Sequence, residues 1–338
     1  MTPQNTSLRL VDATPVNSTQ RIDSAQNDLV FSTPNDLYEA FAEFLQIDVA
    51  NGDATEDTIR AYYKEIGLFT RWCRERNIEP EQATRRHIEA YRENLKTNGA
   101  APATRQHKMS IVRRFYEAAV KHGLLSINPA ANVKGGKDLT PPEEKIKALT
   151  RGALHHLVAA IPSTTLLGQR DRAIVALMAV HGLRRIEVHR LDHDSIDIAG
   201  DVPTLKVHGK GNRVRKIYLR EDTYNAIQTY VQAKMDHEFP LTGPLFVSHS
   251  NRTRGQRISR RSLNDIIDHC LSEANLKKVG VSCHALRHTH GTLAVAGGAK
   301  VEHLKEEMGH NHLETTSIYV KAVSRKENNP ANFIDVQF

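Results

Sequence analysis

The chain has 338 residues, with 46 Lys and Arg against 39 Asp and Glu, a formal net charge of +7 and a pI near 9.2. That length favours two compact units, each with its own core, and the basic balance favours a polyanionic partner, nucleic acid first, although a soluble protein can be basic without binding one. Three widely separated cysteines, Cys73, Cys270 and Cys283, argue against a disulfide framework or a Cys-x-x-Cys site, and no apolar run is long enough to cross a bilayer or to serve as a signal-peptide core.

Residues 1–34 are rich in Thr, Ser, Asn, Gln and Asp and carry too few apolar side chains to offset ordering entropy, so they are expected to form a flexible arm. From Asn35 the pattern changes. Leu37, Phe41, Phe44 and Leu45 predict a first helix, and Ile59, Tyr62, Tyr63, Ile66, Phe69 and Trp72 a second, ending near Asn77. A third helix is predicted from about Thr84 to Thr97, stopped by Asn98-Gly99, and a fourth from Pro102 to His122, stopped by Gly123. These four predict a small bundle over 35–130.

The stretch 131–147 holds Lys134-Gly135-Gly136-Lys137 and Pro141-Pro142, a linker composition, and 148–325 forms the expected second domain. Helices are predicted near Arg151–Ile161 and Leu167–His181. A strand-rich stretch follows, and further helices run from Ser259 toward the C-terminus. The fold class expected is mainly α with a small antiparallel β-sheet.

Four constellations in the second domain could carry chemistry. In Gly182-Leu183-Arg184-Arg185-Ile186-Glu187 a glycine ends one helix and the next begins, placing Arg184 where an anion is favoured; an ordinary Arg184–Glu187 surface pair is the plainer reading. Two alternating runs from Leu205 to Leu219 flank a Gly-containing turn and predict a β-hairpin with Lys210 at its tip, able to donate a proton to a departing oxygen or simply solvated. His284 and Arg287 in His284-Ala285-Leu286-Arg287-His288 share a helical face and can both donate to phosphate oxygens. His284 and His288 have zinc-ligand spacing but lack the glutamate of the His-Glu-x-x-His pattern. Finally, Gly309-His310 is followed by Tyr319, which alone would read as core.

The order Arg, hairpin Lys, His-x-x-Arg, Gly-His and Tyr resembles the tyrosine recombinase, or phage integrase, family from about Ala148 to Val320. Thr104-Arg105-Gln106-His107-Lys108, Arg113-Arg114-Phe115-Tyr116 and Ile127-Asn128-Pro129-Ala130 resemble that family's core-binding domain. The resemblance implies a helical-bundle (SAM-like) core-binding domain joined to a mixed α/β tyrosine-recombinase catalytic domain. It implies that Tyr319 attacks a DNA phosphodiester and forms a 3′-phosphotyrosyl link, that Arg184, Arg287, His284 and His310 surround the non-bridging oxygens, and that Lys210 is the general acid. Glu187 would brace the site. No cofactor, metal or ATP is implied, since arginines replace the divalent cation in neutralising phosphate charge. Val320-Lys321-Ala322 and Met308 depart from the family's usual residues without touching the implied chemistry.

The remaining expectations concern partners. Arg252, Arg254, Arg257, Arg260 and Arg261, with Thr104, Arg105, Lys108, Arg113 and Arg114, are candidate DNA-binding residues that would position a duplex without reading its sequence; a solvated basic loop is the alternative for the 252–261 run. The resemblance implies that the partner is double-stranded DNA carrying recombination sites, bound by a homo-tetramer in a synaptic complex. Accessory DNA-bending factors are compatible, no membrane is expected, and a prokaryotic cytoplasm is the compartment implied. The resemblance implies that residues 326–338, with the apolar Phe333, Ile334, Val336 and Phe338, dock in trans on a neighbouring subunit; packing on their own domain is the alternative. A type IB topoisomerase-like enzyme, a non-catalytic DNA-binding protein on the same fold, and a metal-dependent nuclease are the rival readings.

Overall fold

The computed structural model describes residues 36–52, 54–209, 213–327 and 334. The expected N-terminal arm, Lys210 and most of the expected docking tail lie outside the described residues. The chain divides into two compact units between Lys137 and Asp138.

The first unit is a helical bundle of α1 (Leu37–Ile47), α2 (Glu56–Arg74), α3 (Arg85–Thr97) and α4 (Pro102–Lys121). The Asp36 carboxylate caps α1 by accepting from the Tyr38 and Glu39 amides at 2.8 Å, while Pro102 opens α4 where no amide hydrogen is needed. Gly123 supplies the left-handed turn after α4, at φ 72°. The apolar faces meet in a core of Phe41, Leu45, Phe69, Trp72, Ile88, Tyr91, Met109, Phe115 and Tyr116. Several of its rings pack edge to face, as Phe41 on Phe115 at 5.4 Å and Phe69 on Tyr91 at 5.0 Å, while Phe69 and Trp72 stack. Each such side chain contributes about 1.5–3 kcal/mol by leaving water.

The second unit places α5 (Arg151–Ala160), α6 (Leu166–Ala179) and α7 (Arg185–His189) ahead of a three-stranded sheet. Strands β1 (Ile196–Asp197), β2 (Thr204–His208) and β3 (Val214–Tyr218) lie in that order, all antiparallel, with Leu205 opposite Ile217 and Val207 opposite Arg215. Helices α8 (Glu221–Asp236), α9 (Arg260–Glu273), α10 (Cys283–Ala296), α11 (Val301–Met308) and α12 (Leu313–Glu327) follow. The second half of helix α6 is apolar around most of its circumference, with Ala173, Ile174, Val175, Leu177 and Met178 all buried, and so runs through the core.

The architecture is the expected one, mainly α with a small antiparallel sheet, but α8 departs from the strand-rich reading of its stretch. Its residues include Thr223, Tyr224, Ile227, Thr229, Tyr230 and Val231, types that favour strands, yet the buried positions Thr223, Ile227, Tyr230 and Lys234 recur at helical spacing. A lysine on the core face obscures that period. The Lys234 ammonium is fully buried, 2.8 Å from His193 Nε2, and donates to the Pro244 and Leu245 carbonyls. Among the described residues no helix is long and apolar enough to cross a membrane.

Candidate active site

Two helix ends that finish in glycine build the cationic part of the site. Gly182, at φ 64° after α6, and Gly309, at φ 62° after α11, both adopt the left-handed conformation that side chains disfavour. Their neighbours leave no room for one either: a Cβ on Gly182 would lie 2.5 Å from the His290 ring, and one on Gly309 2.9 Å from an Arg215 nitrogen. The turns aim carbonyls inward. Arg287, on α10 and 2% exposed, donates to the Gly182 carbonyl and, at 2.7 Å, to that of Met308. Arg184, the residue just before α7, donates to the Gly309 carbonyl at 3.0 Å and to Glu187 Oε1 at 2.8 Å. A guanidinium carries five N–H donors, so both keep donors for a ligand.

Glu187 is not a surface partner. Its side chain is fully buried, accepting from the Arg184 backbone amide at 2.8 Å and from both terminal nitrogens of Arg215 at 2.9 Å. Burial alone would push its pKa up, but the forked bonds and charge of Arg215, followed by those of Arg184, hold it below the ordinary glutamate range. Arg215 also donates to the Glu307 carbonyl at 2.8 Å, joining β3 to α11. Sequence reasoning missed Arg215. Its signal is the alternation of β3, where Arg215 and Ile217 share the inward face while Val214, Lys216 and Tyr218 are exposed.

The third group is aromatic. Tyr319, on α12, is 2% exposed and its hydroxyl lies 3.0 Å from His288 Nδ1. A Cβ on Gly291 would sit 2.6 Å from the Tyr319 ring, so that glycine gives α10 and α12 their close approach. The His310 ring lies nearly parallel to that of Tyr319, with centroids 6.5 Å apart, and its Nδ1 pairs with Thr316 Oγ1 at 2.8 Å. If Thr316 donates, the His310 proton sits on Nε2, free to meet a ligand. His284 is exposed and packs perpendicular to His288 with centroids 4.6 Å apart.

Electrostatics follow from this crowding. Burial and then the arginines push His310 down to about 3, and burial, His284 and Arg287 push His288 down to about 4, so both imidazoles are neutral near pH 7. His284 shifts the same way, through partial desolvation and the two arginines. Burial pulls Arg287 to about 10, which still leaves it charged. Burial raises the Tyr319 phenol, with Arg287 and Arg184 opposing. The result is a protonated phenol beside two fixed cations and neutral imidazoles, a set of groups suited to an anion with tetrahedral oxygens.

Thus the structure brings Arg184, Glu187, His284, Arg287, His310 and Tyr319 together. Lys210 lies outside the described residues, but the preceding Gly209 borders the site: its Cβ position is 3.9 Å from Glu187 Oε1. Across the hairpin, Arg213 donates to Asn311 Oδ1 at 2.9 Å.

Several of the basic residues hold the fold of their own unit. Arg105 bonds the Gly135 carbonyl at 2.9 Å, Arg113 the Val133 carbonyl at 3.0 Å, Lys108 pairs with Glu65, and Arg114 with the Tyr62 hydroxyl. In the second unit Arg257 bonds the His189 carbonyl at 2.9 Å and Asp192, and Arg254 stacks 4.2 Å over Phe239. Thr104, Arg252 and Arg261 are exposed, and Arg260 is half-buried.

Residues 147–325 match the phage integrase family, and residues 39–123 match the phage integrase N-terminal SAM-like domain. The chain is 29% identical over 270 residues to the tyrosine recombinase XerC of Myxococcus xanthus, covering 78% of this chain and 86% of the relative. It is 28% identical over 285 residues to the tyrosine recombinase XerD of Bifidobacterium longum, covering 81% and 89%. The Tn1549 transposon integrase, solved in complex with circular intermediate DNA, has a similar fold, with a TM-score of 0.66 at 17% identity over 86% of this chain and 98% of that one. The chain belongs to the phage integrase family, the tyrosine recombinases.

Proposed function

We propose that this protein is a site-specific DNA recombinase that cuts and rejoins strands through a 3′-phosphotyrosyl intermediate on Tyr319. The observation that carries the reading is that Arg184 and Arg287 are held by the carbonyls of Gly309, Gly182 and Met308 while the Tyr319 hydroxyl lies 3.0 Å from His288, one residue after Arg287 on α10. A scissile phosphodiester seated there takes N–H bonds from Arg184, Arg287, His284 and His310. Those bonds strengthen as charge grows on the non-bridging oxygens in the transition state. Tyr319 Oη attacks phosphorus, the P–O5′ bond breaks, and Lys210 protonates the departing oxygen. Glu187 and Arg215 brace Arg184 and the hairpin. The phosphodiester energy is kept in the tyrosyl ester, so a free 5′-hydroxyl can reverse the step on a new partner strand.

The DNA would be a pair of double-stranded recombination sites joined in a tetramer, with residues 326–338 docking in trans; Ile334 in that tail is 65% exposed. Integration or excision of a mobile element and resolution of DNA dimers share this chemistry. Exposed Thr104, Arg252 and Arg261 are the freest of the proposed phosphate contacts. Arg105, Lys108, Arg113, Arg114, Arg254, Arg257 and Arg260 would have to share with or exchange existing partners.

The test is a nicked, end-labelled suicide duplex carrying the recombination site, incubated in chelator and run on a denaturing protein gel. Wild type should form a covalent adduct and Tyr319→Phe none. Arg184→Ala and Arg287→Ala should slow adduct formation by ~100-fold or more, the typical cost of one preorganised donor to a developing oxyanion. Specific binding without an adduct would overturn the reading.

A further inference from the structure

We propose that His288 is the general base that takes the Tyr319 proton during strand cleavage and returns it during rejoining; this rests on Tyr319 being the nucleophile. The geometry separates His288 from the other two histidines of the site. His288 Nδ1 is 3.0 Å from Tyr319 Oη, within proton-transfer reach. His310 instead lies face to face with the tyrosine ring and commits its Nδ1 to the buried Thr316 hydroxyl. His284 contacts the His288 ring edge to face, so it supports the base from behind.

The chemistry requires such a group. Tyr319 is buried with its phenol raised above the usual tyrosine value, so it enters the reaction protonated, and little water reaches it to take the proton. A neutral imidazole with its proton on Nε2 accepts a hydrogen bond at Nδ1, and burial with His284 and Arg287 keeps His288 neutral. A scissile phosphate arriving beside it brings negative charge, which favours the imidazolium that forms. The proton moves from Oη to His288 Nδ1 as the Oη–P bond forms and the P–O5′ bond breaks, and O5′ takes its proton from Lys210. In rejoining, O5′ attacks phosphorus, the P–Oη bond breaks, and His288 returns its proton to Oη.

The experiment compares single-turnover adduct formation by wild type, His288→Gln, His288→Phe and Lys210→Ala on two suicide duplexes. One carries the ordinary phosphodiester and the other a 5′-bridging phosphorothiolate, whose sulfur leaves without needing a proton. Glutamine can still accept the Tyr319 hydrogen bond but cannot take the proton, so it separates a base from a group that only positions the ring. Both His288 variants should be slowed ~100-fold or more on both duplexes, the usual share of general acid–base catalysis. Lys210→Ala should recover on the sulfur duplex. Site binding at the wild-type affinity and an unchanged thermal transition check that the variants are folded.

Near-wild-type cleavage by His288→Gln overturns the proposal, as does recovery of the His288 variants on the sulfur duplex, which would place His288 on the leaving group. An adduct that persists in Tyr319→Phe overturns the nucleophile assignment instead, and is read in the same gel.

Discussion

At the residue scale the site depends on one buried carboxylate. Glu187 joins the residue before α7, β3 and α7 itself by accepting from Arg184 and Arg215, and it does so without solvent. Its folded pKa is depressed, so above the ordinary glutamate range the unfolded and folded states are both ionised and its contribution is fully present. As pH falls below that range the unfolded state takes a proton first, and stability is lost until the folded carboxyl also titrates. Glu187→Gln should flatten this part of the acid-unfolding curve. At neutral pH it should cost about 3–5 kcal/mol, because two guanidinium groups lose their buried counter-charge. Denaturant melts of both proteins from pH 3 to 7 check it; equal acid sensitivity would show that Glu187 does not carry the effect.

At the element scale, the position of Tyr319 is a consequence of how closely α12 packs on α10. Gly291 creates that approach, and an added methyl would meet the Tyr319 ring carbons 2.6 Å away. Gly291→Ala improves intrinsic helix propensity by about 1 kcal/mol, so an isolated α10 would gain. In the protein the tyrosine must shift, and a displacement near 1 Å at a reacting atom costs on the order of 100-fold in rate. The expected result is a folded protein that binds its DNA but forms the covalent adduct ~100-fold more slowly. Full-rate cleavage by Gly291→Ala would show that α12 adjusts freely. The glycines that end α6 and α11 act differently, since each turns a carbonyl toward an arginine.

At the scale of the whole molecule, the described residues carry one aromatic-rich core in the first unit and a separate one around α6 in the second. Two cores of this kind permit more than one unfolding step, which departs from two-state behaviour. Phe115→Ala and Leu177→Ala, each at a fully buried position, should cost about 3–5 and 2–5 kcal/mol respectively. Calorimetry should show each variant lowering a different transition. A single transition lowered equally by both would show the units unfold as one.

The sequence by itself determined the helices of the first bundle, the β2–β3 hairpin and the order of the chemical motifs, because these are written in local periodicity, turn residues and short spacings. Asn98-Gly99, Gly123 and Gly182 mark chain turns whatever lies around them. Helix α8 was less legible, since strand-favouring residues and a buried lysine mask its period. Only the tertiary structure decided which of the neighbouring side chains meet. Arg215 finds Glu187 28 positions away, and His288, rather than His284, reaches the tyrosine 31 positions on. Such pairings depend on the angle at which α10 crosses α12 and on the register of β3, and those are fixed by packing between elements rather than by the pattern within any one of them.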